Sequence, residues 1–230
     1  LTILRGDDES LAPRPRALAR LAATLTAQPW TLTPETVADA GRQGLNEEQI
    51  EAAVGVISMF NYLTRVADAT GIEFDYLTPL PAFEPDRRQA VKPRPARSVS
   101  SDRDVAGRPS LRHSPLRAAW QSWRAYVLES DEPLRRRERR LLASVAAEEA
   151  GDWDGATVGN ALGSDARSDG QLVEFARKLS RQPWLMEAGD LEGLRACGYS
   201  EAAVLHMISV VAHQNADSRL AAGLAAARRT

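Results

Sequence analysis

The sequence predicts an all-α protein built from two related sets of helices. Three observations carry that reading. Shifting the 230-residue chain by 154 positions aligns two long segments without a gap. Within each segment the apolar residues recur at helical spacing, between residues that start and stop helices. No stretch reads convincingly as a strand.

The repeat is specific at several points. Leu25-Thr26-Ala27-Gln28-Pro29-Trp30 falls on Leu179-Ser180-Arg181-Gln182-Pro183-Trp184. Gly44 falls on Gly198, Glu47 on Glu201, Val56 on Val210, Asn61 on Asn215 and Arg65 on Arg219. Upstream, Leu18 meets Leu172 and Ala22 meets Ala176. Val37, Ile50, Val54 and Val66 meet Leu191, Val204, Ile208 and Leu220, apolar residues of the same class.

The elements follow in chain order. A first helix is expected from about Arg14 to Ala27, with prolines at its entry, where a missing N–H costs nothing. Pro29 stops it. Thr33-Pro34-Glu35 starts a short helix, with Thr33 as the cap, and Gly44 ends it. Asn46 caps a long helix that runs to about Thr70 and stops at Gly71. Ser200 caps the equivalent helix of the second set. Between the sets, residues 78–114 are rich in Pro, Arg, Ser and Asp and read as a largely extended linker. The chain thus divides into residues 1–77, the linker 78–114, and a more complete second set in 115–230. Ser114-Pro115 opens a helix whose Trp120, Trp123, Tyr126 and Val127 read as a buried stripe. Asp131-Glu132-Pro133 opens another, from Leu134 to about Ala150, and a short helix is expected near Ala156–Leu162.

Composition excludes several classes. Lys and Arg number 29 against 31 Asp and Glu, a net charge of −2, so nothing drives non-specific nucleic-acid binding. Apolar runs fall short of the ~18 residues a membrane span needs. The opening residues Leu1–Asp8 place acids where a secretion signal needs an apolar run. One cysteine, Cys197, forbids an intramolecular disulfide and fits a reducing, cytoplasmic setting. The leading Leu1, in place of Met, hints that the original start lies upstream. Phosphate loops, HExxH, Gly-x-Ser-x-Gly and zinc spacings are not found, and no cofactor or metal is expected.

Two blocks carry a resemblance to a known family. Arg137 to Ala147 resembles the helix before the active site of alkylhydroperoxidase D-like and carboxymuconolactone decarboxylase-like proteins. Leu172 to Leu220 resembles their downstream helices, and Phe60-Asn61-Tyr62-Leu63-Thr64-Arg65 matches their Phe-Asn-x-x-x-Arg pattern. The whole chain is similar to the double-domain, peroxidase-related members. The resemblance implies tandem helical bundles, the first truncated at its N-terminus, and paired long helices that assemble as oligomers.

The family's peroxidase chemistry uses Cys-x-x-Cys at a helix N-terminus, with a His four residues after the second Cys. A thiolate attacks the peroxide and becomes a sulfenic acid, which the second thiol resolves. The resemblance places those positions at Asp152, Gly155 and Gly159, and the relay Glu at Arg140. Each chemical group is replaced. Asp152 and Asp154 read either as an acid pair or metal site, or as a solvated loop, which is preferred. The equivalent motif of the first set is expected upstream of Leu1, with Leu4–Glu9 resembling the loop after it. A complementary N-terminal chain is one possible source of it.

The other candidates come from spacing. His206 and His213 lie seven apart on one helix face and, with Gln214, are candidates to frame a small-molecule pocket. Asn61 with Arg65, and Asn215 with Arg219, are four apart and reach a common partner. A structural role where the long helices pair is preferred, with carbonyls or a carboxylate holding the arginines. Cys197, before Gly198, reads as structural, and His113 as exposed. Three functions remain: a peroxidase-related protein whose thiols lie upstream, a non-catalytic structural or ligand-binding subunit, and a repurposed non-thiol enzyme using His213.

Overall fold

The computed structural model describes residues 8–72, 109–156 and 166–228. Among them every regular element is helical, and no strand occurs. After a 3-10 turn at Asp8–Ser10 come α1 (Pro13–Ala27), α2 (Pro34–Arg42) and α3 (Glu47–Thr70). Then follow α4 (Ser114–Glu129), α5 (Arg136–Glu149) and α6 (Trp153–Ala156). The chain finishes with α7 (Ala166–Arg181), α8 (Ala188–Ala196) and α9 (Glu201–Ala227).

Local chemistry sets these bounds. The Thr33 hydroxyl accepts the Thr36 N–H and opens α2. Asn46 and Gln49 exchange side-chain and backbone bonds to open α3, and Gly71 closes it at φ 65°. The Ser200 hydroxyl does the same work for α9, accepting the Ala203 N–H. Element bounds recur at the 154-residue shift. α2 lands on α8, α3 begins where α9 begins, and the 3-10 turn Pro29–Thr31 lands on Pro183–Leu185. Gly44 and Gly198, the matching turn glycines, both take left-handed φ near 90°.

The two sets share one interior. α3 and α9 lie against each other along their length. Leu220 and Leu224 of α9 pack in one cluster with Leu21 and Leu25 of α1 and Val54 of α3. Each fully buried Leu contributes roughly 1.5–3 kcal/mol. A larger cluster joins α5, α7, α8 and α9 through Leu142, Leu172, Leu179, Leu194 and Met207.

The structure corrects four expectations. The segment 78–114 ends inside the folded body: Leu111 is buried, and the Arg112 N–H donates to Glu51. Residues 78–108 lie outside the described residues, as do residues 1–7, with most of the loop expected at Leu4–Glu9. The aromatic stripe of α4 is incomplete, because Tyr126 is exposed. At about 100° per residue, Trp120 and Val127 fall within about 20° of each other, whereas Tyr126 falls about 120° away. α5 starts at Arg136 instead of Leu134, because Asp131 accepts the Arg136 N–H and holds the preceding residues in a turn. Finally, the short helix begins at Trp153, held by Asp152, and residues 157–162 of the expected stretch lie outside the described residues.

Candidate functional site

Two places gather polar side chains inside this helical body. The first is the seam between α3 and α9. Asn61 donates from Nδ2 to the Ile57 carbonyl and to Thr26 Oγ1 (2.9 and 3.0 Å). Asn215 donates in the same way to the Val211 carbonyl and to Ser180 Oγ (2.9 and 2.8 Å). Each Asn turns its Oδ1 to the arginine four residues on, at 2.9 Å in both cases. The arginines then cross over. Arg65 donates to the Ser180 carbonyl of the second set, and Arg219 to the Thr26 carbonyl of the first (3.0 and 2.8 Å). This reciprocal exchange has the form of an isologous dimer interface inside one chain. Both guanidiniums are buried. Burial pushes Arg65 down to about 10, against the opposing pull of Asp68. Arg219 is pushed well below its ordinary value by burial, and then by Arg65. The four residues thus meet as a structural knot, with carbonyl oxygens holding the arginines.

The second place is where α6 meets α9. The α5 helix ends at the left-handed Gly151, φ 70°. Asp152 follows, half-buried, and its Oδ1 accepts the Gly155 N–H at 2.9 Å. Its Oδ2 accepts the Ser218 hydroxyl at 2.7 Å, and Ser218 Oγ in turn accepts the Gln214 amide at 3.1 Å. Asp152 is therefore a bound carboxylate and not part of a solvated loop, because it caps α6 and takes the hydroxyl of α9. Asp154 is exposed, and the described residues hold no group of three or more His, Cys, Asp or Glu able to bind a metal. Gly155 fits this arrangement. A Cβ there would come within 2.6 Å of Asp152 Oδ2. Gly159 lies outside the described residues. Arg140 is exposed and pairs with Glu129 at 3.8 Å.

The two α9 histidines share a face but not a pocket. His213 is fully buried, edge-on to the Trp123 ring at 4.5 Å and 5.9 Å from Trp120. Beside it, the Trp120 indole N–H donates to Asp217 at 2.9 Å, and Arg124 lies 3.6 Å from the same carboxylate. His206, two turns earlier, meets a different neighbour, Arg139, 3.0 Å from its Nδ1. Burial, and then Arg139, push the His206 pKa down. A permanently charged guanidinium only donates, so His206 Nδ1 accepts and the ring is neutral.

Sequence reasoning missed Arg139, next to the weighed Arg140. It is fully buried and donates to the carbonyls of Leu134, Val127 and Glu132 (2.8, 2.7 and 3.0 Å). Glu149 was also missed. It is buried and takes both Arg177 and Arg181 of α7. Those arginines line a cleft of about 330 Å³ between α7 and α8, with Gln171, Phe175, Lys178 and Asp190. Its cations are already engaged: Lys178 binds Asp190 at 2.7 Å. A signal existed in the i, i+4 spacing of Arg177 and Arg181, but nothing in the chain order pointed it at Glu149. Cys197, half-buried, ends α8, an element remote in sequence from α6. His113 is exposed and caps α4, its Nδ1 accepting the Leu116 N–H at 3.4 Å.

No protein family, curated protein or solved structure matches this chain. No described helix is long and apolar enough to cross a membrane.

Proposed function

We propose that this chain is a non-catalytic, peroxidase-related member of the alkylhydroperoxidase D-like and carboxymuconolactone decarboxylase-like group, acting as a structural and binding subunit. The observation that carries the proposal is the state of Asp152. The resemblance assigns it to the attacking thiol's position, and both of its oxygens are committed, one to the Gly155 N–H and one to Ser218. A buried α5, the left-handed glycine turn at Gly151 and the buried polar residues of α9 surround Asp152 and support this reading. A dithiol cycle needs one sulfur to attack and a second to resolve, and these 230 residues hold one cysteine.

The test is reduction of hydrogen peroxide and cumene hydroperoxide by the purified chain with dithiothreitol as electron donor. The expected rate equals the protein-free background and is the same for Cys197→Ser. Turnover above background that disappears with Cys197→Ser would overturn the proposal, and so would turnover that survives it.

A further inference from the structure

The outer faces of α3 and α9 have opposite characters. On α3, Val56, Met59, Phe60 and Leu63 form an apolar stripe on the side turned away from α9. On an ideal helix it lies opposite the buried Val54, Ser58, Asn61 and Arg65. Phe60 is 60% exposed and Leu63 48%. The matching positions on α9 are Val210, His213, Gln214 and Asp217, and all are buried, Gln214 to 2% and Asp217 to 6% exposure. The usual rule is inverted twice: the bare face is apolar and the covered face is polar.

The cover of α9 is known in detail. Trp120 and Trp123 of α4 enclose His213, and Trp120 binds Asp217. α5 shares a core cluster with Val210 and Val211. Asp152, before α6, takes Ser218. The same body reaches over to the first set of helices. A Cβ on Gly151 would lie 2.9 Å from Trp30 Cβ, so the α5–α6 turn is seated on Trp30. The counterpart of Trp30 is Trp184, which is 47% exposed. Its 3-10 turn packs on α3. The α3 stripe and Trp184 are therefore exposed together, and one body covers both of their counterparts.

We infer that the α3 stripe and Trp184 form a docking surface for a partner helical segment of the α4–α6 kind. The occupant is an apolar helix pair whose second helix ends in a glycine turn on Trp184. Its chemistry differs from α4–α6 at one place. Where Trp120 donates to Asp217, the partner faces Leu63, so it presents no donor there. A second copy of this chain does not meet the description, because its own α4–α6 are seated on its own α9. The inference rests on the internal repeat and not on the proposed function, so the two fail separately.

The test is oxidation of methionine by hydrogen peroxide, read by mass spectrometry. Met59 lies in the stripe, and Met207 is fully buried and reports an intact core. Two chains are compared. One is the 230-residue chain. The other carries a second copy of residues 109–161, with Trp120→Phe in that copy, joined ahead of Asp8, where the repeat places it. Met59 is expected to oxidise readily in the first chain and about tenfold more slowly in the second, with Met207 slow in both. Phe60→Glu in the extended chain restores fast oxidation of Met59. Equal Met59 rates in the two chains, with Met207 slow, would overturn the inference. Protection of Met59 in the unextended chain that follows a dimer in sedimentation equilibrium would also overturn it and assign the face to a second copy. If the extension makes Met207 labile, the same comparison is read with residues 109–156 added as a separate peptide, and equal rates again overturn the inference.

Discussion

Asn61 and Arg65 on α3 make the bonds that Asn215 and Arg219 make on α9, atom for atom at the side-chain amide. Immediately before each Asn, Phe60 and Gln214 occupy equivalent positions and share almost nothing, one exposed and the other buried. The difference separates two constraints on a pair of matching helices. The seam is shared by both sets, so a change on one side leaves a carbonyl unpaired on the other. The outer face answers only to its own neighbours. On α9 the outer residues bond Trp120 and Asp152, while on α3 the matching residues are apolar and exposed.

The largest expected effect breaks the seam. Arg219→Ala removes the donors that hold the Thr26 and Asn215 carbonyls and leaves a cavity. It should lower the unfolding free energy by about 2–4 kcal/mol, measured by urea denaturation. Arg65→Ala should cost nearly as much, since it too spans the two sets. A near-neutral Arg65→Ala would mean that the exchange is not reciprocal in strength.

The next effect concerns the seat of the α5–α6 turn. Gly151→Ala faces two costs, a left-handed backbone and the Trp30 side chain. Together they should reach about 2–3 kcal/mol, with a shift in tryptophan emission. Gly44→Ala has the backbone cost alone, because nothing lies within 4 Å of its added Cβ. It should cost about 1 kcal/mol. Equal costs would show that the turn is not seated on Trp30.

A smaller effect depends on pH. The folded pKa of His206 lies below its ordinary value, through burial and Arg139. The unfolded chain therefore takes the proton first as pH falls. The contribution of neutral His206 is complete above the unfolded value near 6.5 and is lost as pH falls below it toward the folded pKa. Met59→His would place a histidine on the bare face, with no such penalty. Urea midpoints between pH 7 and 5 should fall more steeply for the native chain than for His206→Gln, and Met59→His should add no slope. A slope unchanged in His206→Gln would show that His206 does not contribute to the pH dependence.

Most of the fold could be read from the chain. Thr33-Pro34, Asn46 and Ser200 are local signals that act within one turn, so their helices begin where the sequence places them. The seam was legible too, because a repeated Asn-x-x-x-Arg in an apolar helix has few ways to satisfy its donors. The cover of α9 was not. Asp152 looks like a loop residue until Ser218, 66 positions later, is brought to it. Arg139 looks like one arginine among five in a charged stretch until helix phase turns it inward, and Glu149 meets Arg177 and Arg181 only through the packing of α5 on α7. Long-range pairings of single polar residues leave no periodic trace.

Matching residues of α3 and α9 face different surroundings, and reciprocal exchange tests this most directly. Phe60→Gln and Gln214→Phe are each measured by urea denaturation against the native chain. Phe60→Gln should change stability by no more than about 0.5 kcal/mol, because it alters an exposed position. Gln214→Phe should cost about 2 kcal/mol, because it overfills a packed site and removes the donor to Ser218. Similar costs for the two exchanges would show that the two positions face like surroundings, the opposite result.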